Sequence, residues 1–277
     1  MLEELLPRLL TPTARIPGPV IDLDHPVRRS TSRRQLLDAT LVGPGRVDPS
    51  IVHDGIWEAM GPAHPPRTLA QLSNVVPPTP WLYEAAWRVR SLSLLSGRKF
   101  PVTEELAELD QAVGDVTGAV CVDIGCSEGL YARHLAGRGA LVLAIDHSRP
   151  FLRRAQHRAE RAGVAIAPVR ATAQRLPIGD AMADVAVIGG SLNEIGDRRA
   201  ALAEAGRVVR PGGIMFVMSL VAATTKNGRR LQRALGASGI EFPTGDGTFD
   251  EFAAAGFRVV EHRLDRVVLR TTAIRTD

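Results

Sequence analysis

From residue 119 onward, short uninterrupted apolar runs alternate with stretches in which apolar residues recur every three or four positions. Uninterrupted runs are typical of strands buried on both faces, and the periodic stretches are typical of amphipathic helices. The alternation predicts an α/β fold with a doubly wound, mostly parallel sheet covered by helices on both sides. The predicted strands are residues 119–124, 140–146, 165–169, 184–189, 213–219, 257–263 and 265–271, and the predicted helices are residues 129–137, 149–162, 197–209, 227–238 and 248–255.

The first 80 residues differ in character from the rest. They are rich in proline, carry an arginine cluster at positions 28–34 and show little sustained helical periodicity. We therefore expect an N-terminal accessory segment at residues 1–80 and a core domain at residues 81–277. With 277 residues, the chain is long enough for one full α/β core and a smaller addition.

The stretch Val122–Gly129 joins the first strand of the pattern to its first helix. It ends an apolar run with an acid and continues as a glycine-spaced turn, an arrangement that indicates a nucleotide-type binding corner. The spacing is Asp-x-Gly-x-Ser-x-Gly, which differs from the Gly-x-Gly-x-x-Gly of dinucleotide enzymes. Glu128 stands where a pyrophosphate would meet the helix N-terminus, so we expect a diphosphate to be repelled. S-adenosylmethionine has no phosphate and carries two positive groups, so acids near this loop favour it.

The second predicted strand ends in Asp146, which falls 17 positions after Gly129. A carboxylate at this place can accept hydrogen bonds from both ribose hydroxyls of a nucleoside. Alternatively, Asp146 caps the helix that begins near Arg149, since Asp and the nearby Ser148 both favour helix starts. The two roles are compatible.

Four motifs stand together in a familiar order: Asp123–Gly129, Asp146, the Leu176–Pro177 pair and Arg207–Gly213. In order and spacing they resemble the class I S-adenosylmethionine-dependent methyltransferases, and most of all the ubiquinone/menaquinone-biosynthesis-like (methyltransferase type 11) group. The resemblance covers residues 83–272. It implies a seven-stranded sheet with strand order 3-2-1-4-5-7-6, in which the last strand is antiparallel.

The resemblance also implies a set of cofactor-binding positions. An element like Tyr83–Arg88 precedes the core in plant and bacterial relatives, and on a helix it would offer Arg88 to the methionine carboxylate. An equally open alternative is that this helix packs Trp87 into the core. The positions expected to bind the cofactor are Asp123, Gly125, Cys126, Ser127, Gly129, Asp146, His147, Thr172, Ala173, Gly189 and Arg88.

Three features depart from the family pattern. Ser127 replaces the middle glycine of the loop, and its Cβ restricts backbone angles with positive φ. Thr172 replaces the acid that accepts a hydrogen bond from the adenine amino group, so the backbone of Ala173 is an alternative partner. The segment 189–196 lacks the Asp/Asn-Pro-Pro-Tyr/Phe pattern of amino-group methylases, which disfavours methylation of an exocyclic base nitrogen.

No residue receives a catalytic role from the sequence. Methyl transfer mainly requires that the nucleophile be held in line with the methyl group, and a base is needed only if the acceptor keeps its proton. Ser191, Asn193, Glu194 and His262 are candidates at the carboxyl ends of strands. A lone histidine in a late hairpin is more typical of a surface position, and Asn193 and Glu194 either line the pocket or cap the next helix.

Composition sets the outer bounds on partners and location. The net charge is +4, the pI is about 9.6 and nearly all cations are arginines, but these are scattered over helices and form no RNA-reading module. Two cysteines are too few for a disulfide framework or a structural zinc site. Residues 44–60 faintly resemble part of a zinc ribbon, but the cysteines are missing, so no metal is predicted. The absence of a long apolar run or a signal-peptide pattern predicts a cytoplasmic protein without a membrane span.

These observations favour an S-adenosylmethionine-dependent methyltransferase that acts on an oxygen or carbon atom of a small organic acceptor. The alternatives are an RNA methyltransferase that grips nucleic acid with its basic N-terminal layer, and a protein that binds the cofactor without turnover. Residues 221–250 are expected to form part of the substrate cover. The acceptor and the oligomeric state are not determined by the sequence.

Overall fold

The computed structural model describes residues 52–59 and 101–276. Its strands are β1 (Val52–His53), β2 (Ile56–Glu58), β3 (Val120–Ile124), β4 (Leu141–Asp146), β5 (Ala167–Arg170), β6 (Ala183–Gly189), β7 (Val209–Leu220), β8 (Phe257–Asp265) and β9 (Val268–Arg275). Its helices are α1 (Val102–Val113), α2 (Leu130–Gly137), α3 (Arg149–Arg161), α4 (Arg198–Val208), α5 (Lys226–Gly236) and α6 (Gly245–Ala254), and a short 3₁₀ turn covers Ser191–Asn193.

All nine strands belong to one sheet with the order β1-β2-β5-β4-β3-β6-β7-β9-β8. The six strands from β2 to β7 in this order run parallel to their neighbours, and β9 is antiparallel to both β7 and β8. The predicted α/β fold with a doubly wound, mostly parallel sheet is therefore confirmed. The closing hairpin is present as β8 and β9, and its turn includes Arg266 at φ 57°.

The predicted count of seven strands is wrong, and the full strand order is correspondingly longer than 3-2-1-4-5-7-6. Two further strands, β1 and β2, form a hairpin at the edge of the sheet beside β5. Asp54 and Gly55 both have positive φ, 54° and 76°, as a two-residue hairpin turn requires. The strands are two and three residues long, so they offer no alternating pattern that sequence reasoning can detect. This hairpin falls within the predicted accessory segment, whose boundary at residue 80 lies outside the described residues.

Helices cover both faces of the sheet. Helices α1, α2 and α3 pack on one face through buried residues such as Leu109, Leu135 and Leu152. Helices α4 and α6 pack on the other face through residues such as Leu202 and Phe252. Helix α1 was not among the predicted helices, although its apolar positions follow helical spacing. No helix of the described residues is long and apolar enough to span a membrane.

Candidate functional site

The loops that follow β3, β4, β5 and β6 meet at the carboxyl edge of the sheet, because these four strands are parallel neighbours. In open α/β sheets this edge is where ligands bind. Ten of the eleven predicted cofactor residues belong to these strand ends and loops. The eleventh, Arg88, lies outside the described residues, as do Tyr83 and Trp87.

The loop between β3 and α2 is held in a tight conformation. Gly125 and Gly129 have φ values of 68° and 71°, and Ser127 also adopts a positive φ of 49°. A side chain in this left-handed region costs about 1–2 kcal/mol, so the loop must be stabilised from outside. The backbone N–H of Cys126 donates to the carbonyl of Ile145 at 2.9 Å, which ties the loop to β4.

The side chain of Asp146 makes the second connection between this loop and the end of β4. Its Oδ2 accepts from the backbone N–H of Ser127 at 2.9 Å, and its Oδ1 accepts from the N–H of Ser148 at 2.8 Å. The carboxylate is 5% exposed. Each oxygen accepts one of these backbone hydrogen bonds and has a further lone pair, so ribose hydroxyls fit the remaining capacity. Ser148, and not Asp146, caps α3 by accepting from the N–H of Phe151.

At two positions of the site only glycine fits, because neighbouring atoms come too close for a Cβ. A Cβ on Gly125 would lie 2.3 Å from Oγ of Ser191, whose hydroxyl donates to the carbonyl of Ile124 at 3.1 Å. A Cβ on Gly189, at the end of β6, would lie 2.9 Å from the ring of Tyr131. The loop after β3 therefore packs closely against Ser191, and the end of β6 packs closely against Tyr131 of α2.

Asp123 and Cys126 lie beneath the loop. Oδ2 of Asp123 accepts from the N–H of Ala132 at 2.9 Å and so fixes the first turn of α2. Burial, together with the nearby carboxylates of Asp146 and Asp123, raises the pKa of the Cys126 thiol well above its usual range. Both side chains are buried, at 2% and 6% exposure. We infer that they shape the loop from below, and their contact with the cofactor stays a prediction.

The turn after β4 and the loop after β5 form the opposite wall. His147 Nδ1 lies 3.4 Å from Oδ1 of Asp146, and among the described residues its Nε2 is buried without a hydrogen-bond partner. Thr172 and Ala173 are half-buried in a turn in which the N–H of Arg175 donates to the carbonyl of Thr172. The Nε2 atom of His147 therefore has hydrogen-bonding capacity left for a polar ligand.

The expected role of Glu128 against a diphosphate is wrong. Its side chain is 2% exposed and turns toward α3, where Oε1 meets Arg154 at 2.6 Å and Oε2 meets Arg158 at 2.7 Å. The two guanidinium groups balance the carboxylate, so it presents little negative charge at the helix N-terminus. The sequence of this loop is therefore weaker evidence against a bound diphosphate than we expected.

Two of the candidate catalytic side chains, those of Asn193 and His262, make their contacts away from the site. Asn193 is buried, and its side chain bonds to both backbone groups of Leu220 and to the carbonyl of Glu241. It therefore neither lines the pocket nor caps α4, whose cap is Asp197. Glu194 is half-buried and follows the same 3₁₀ turn. His262 is exposed on β8, as expected for a surface histidine, and its ring contacts that of Phe249 in a tilted arrangement with the centroids 4.8 Å apart.

Sequence reasoning missed a buried pair beside the site. The hydroxyl of Tyr131 donates a short hydrogen bond to Oε1 of Glu105, and the two residues are 2% and 1% exposed. Glu105 belongs to α1, and the spacing of Leu106, Leu109 and Val113 would have indicated that helix. The pair lies next to Gly189 and supports the loop after β6.

Comparison with known proteins agrees with this geometry. Residues 122–217 match the family model of a methyltransferase domain. An uncharacterized methyltransferase of Mycobacterium tuberculosis is 39% identical over 115 residues, which make up 40% of this chain and 56% of that protein. A ubiquinone biosynthesis O-methyltransferase of Methylocella silvestris is 33% identical over 180 residues, or 64% of this chain and 66% of the relative.

A solved structure shares the fold. The S-adenosylmethionine dependent methyltransferase from Mesorhizobium loti superimposes with a TM-score of 0.52 at 22% identity and covers 61% of this chain and 96% of its own. By sequence, residues 122–217 form a class I S-adenosylmethionine-dependent methyltransferase domain. The cofactor of that family is S-adenosylmethionine. The chain spans about half the length of its mycobacterial relatives.

Proposed function

We propose that this protein transfers a methyl group from S-adenosylmethionine to an oxygen or carbon atom of a small organic acceptor. The observation that carries the proposal is the bond between the N–H of Ser127 and the carboxylate of Asp146. It fixes, in one unit, the loop that would pass under the nucleoside and the acid that would accept its ribose hydroxyls. The relative from Methylocella silvestris, whose name gives it a quinone-pathway acceptor, supports an organic acceptor.

The residues of the site act by holding and orienting. Bound S-adenosylmethionine supplies a methyl group on a positively charged sulfur, which an in-line nucleophile displaces. Asp146, His147 and Thr172 are proposed to hold the adenosyl half. The backbone at Gly125 and Gly189 is proposed to hold the methionine half. The acceptor would then enter over the ends of β6 and β7, beneath the segment 221–250.

Cofactor binding is tested with a pair of aspartate variants. Asp146→Asn should weaken binding of S-adenosylhomocysteine by about 10- to 100-fold, since hydrogen bonds to a charged group are worth about 1.5–3 kcal/mol. Asp184→Asn is the control, because Asp184 likewise accepts a backbone N–H, that of Val120 at 2.8 Å, but at the opposite end of the sheet. Calorimetric titration should show wild-type affinity for this control. Equal affinities for wild type and Asp146→Asn would contradict the proposal.

Turnover is tested by incubating the full chain with methyl-labelled S-adenosylmethionine and fractionated cell extract. We expect label in an organic-soluble small molecule. Label in RNA would replace the proposed function with RNA methylation. Tight cofactor binding without any labelled product would instead indicate a binding protein without turnover.

A further inference from the structure

The β1–β2 hairpin is built into the sheet beside the cofactor site. Strand β2 pairs in parallel with β5, with Trp57 opposite Val169 and Glu58 opposite Arg170. The N–H of Ala59 donates to the carbonyl of Arg170 at 2.9 Å and continues this pairing. Because β2 points the same way as β5, its last residue, Glu58, arrives at the carboxyl edge where the site lies.

Glu58 joins two arginines at that edge. Its Oε1 accepts from Nε of Arg149 at 3.0 Å, and its Oε2 pairs with Nη1 of Arg170 at 3.1 Å. The Glu58 side chain is 14% exposed, and those of Arg149 and Arg170 are 29% and 26% exposed. Charge-assisted hydrogen bonds that are partly shielded from water are stronger than surface ion pairs.

Arg170 connects Glu58 to the turn that follows β4. Its Nε donates to the backbone carbonyl of His147 at 2.9 Å while its Nη1 faces Glu58. Arg170 also stands opposite Asp146 in the β4–β5 register, and the next N–H, that of Ala171, donates to the carbonyl of Asp146 at 3.1 Å. The planar guanidinium thus connects the hairpin to the turn that is proposed to hold ribose and adenine.

We infer that Glu58 is a positioning residue for the adenosyl half of the cofactor site, an inference that rests on the proposed function. Its carboxylate orients the Arg170 guanidinium, and that group fixes the carbonyl of His147 next to the Asp146 carboxylate. A turn held in its binding conformation loses less freedom when the ligand binds, which increases affinity. The β1–β2 hairpin would therefore take part in cofactor recognition.

The same hairpin provides a matched control. Asp54, in the hairpin turn, pairs with Arg153 of α3 at 2.6 Å and lies 3.9 Å from Arg149. Its side chain is 62% exposed. Asp54→Asn removes one negative charge and two arginine ion pairs from the hairpin, as Glu58→Gln does, but it leaves Arg170 and His147 untouched.

The test is a calorimetric titration of the full chain with S-adenosylhomocysteine. Glu58→Gln should raise Kd about tenfold with the binding stoichiometry unchanged, whereas Asp54→Asn should change Kd less than twofold. A purely structural role would lower the fraction of competent protein, and hence the stoichiometry, without changing Kd. Equal Kd values for the two variants, or a reduced stoichiometry alone, would overturn the inference.

A second variant keeps the test decisive if Glu58→Gln fails to fold. Arg170→Lys retains the positive charge that faces Glu58, but lysine cannot hold two partners in a fixed fork. It should therefore raise Kd in the same way, and wild-type affinity for Arg170→Lys would contradict the role assigned to Glu58. Failure of the wild-type chain itself to bind S-adenosylhomocysteine would overturn the proposed function, an outcome distinct from a failure confined to the variants.

Discussion

Gly125 combines a left-handed backbone with the closest contact in the cofactor loop. In Gly125→Ala the new Cβ would sit 2.3 Å from Oγ of Ser191, at φ 68°. We expect a loss of about 2–5 kcal/mol in the free energy of unfolding, from backbone strain and overpacking together. Urea unfolding measures this loss, and titration with S-adenosylhomocysteine should show that binding is lost as well.

Gly163 separates the two causes. It has the same φ of 68° as Gly125, but a Cβ there would meet nothing within 4 Å. Gly163→Ala should therefore lose only the strain contribution, about 1–2 kcal/mol. If both variants lost the same amount, the contact with Ser191 would not restrict the loop.

The two cysteines should be unreactive in the folded protein. Burial is the largest cause that raises the pKa of Cys121, to about 12, and it raises the pKa of Cys126 well above the usual range. Only the thiolate reacts with iodoacetamide, and it stays scarce at pH 8. Mass spectrometry should show no alkylation in buffer and two modifications in urea. Rapid modification of Cys126 without denaturant would refute its burial.

Single residues show where sequence reasoning succeeds and where it stops. The conformation around Gly125 and the place of Asp146 follow from local spacing, so both were predictable. The prediction for Glu128 was wrong because its partner Arg154 lies 26 residues further along the chain, in α3. The loop sequence does not show which side of that helix faces Glu128. Asn193 was misjudged for the same reason, since its partners Leu220 and Glu241 are 27 and 48 residues away.

At the scale of elements, helix α4 holds the loop that follows β5. Glu204 accepts from the N–H of Leu176 at 2.8 Å and from Arg207, which in turn donates to the carbonyls of Leu176 and Ile178. Burial acts to raise the pKa of Glu204, but the hydrogen bonds from Arg207 and Leu176 outweigh it and keep the pKa below its ordinary 4.5. The helix and the loop are therefore joined by an ionised carboxylate.

Glu204→Gln should lose about 1 kcal/mol of stability at pH 7, the value of a partly screened charge-assisted hydrogen bond. Because the folded pKa is lower than the unfolded pKa, this stabilisation exists above about pH 4.5 and disappears as the pH falls below it. Urea unfolding at pH 7 and pH 3 should therefore show a larger difference from wild type at pH 7 than at pH 3. Glu160→Gln, at an exposed position on α3, should show little difference at either pH.

Element type was predictable wherever the apolar pattern was long enough. Strands such as β4, with six consecutive buried residues, and helices such as α3, with its serine cap, were found within about two residues of their bounds. The β1–β2 hairpin was not found, because only the Asp54–Gly55 turn signals it locally. Its register on β5 depends on a pairing between segments far apart in the chain.

For the molecule as a whole, the hairpin closes one edge of the sheet and completes its core. Trp57 is 7% exposed and packs in the same cluster as Val169 and Leu176. Trp57→Ala should cost about 3–5 kcal/mol in the free energy of unfolding, because it leaves a large cavity. Val260→Ala, at a 44% exposed position on the opposite edge strand, should stay within about 0.5 kcal/mol. Similar losses would show that the hairpin is not part of the cooperative unit.

The hairpin also sets an order of events during synthesis. Glu58 and Arg170, which pair across the β2–β5 edge, are 112 residues apart in the chain. At ~5–20 residues per second the ribosome needs on the order of 10 seconds to make the intervening polypeptide. Throughout that interval the indole of Trp57 has no β5 to dock against. Docking of the hairpin onto the sheet must therefore follow the synthesis of β5.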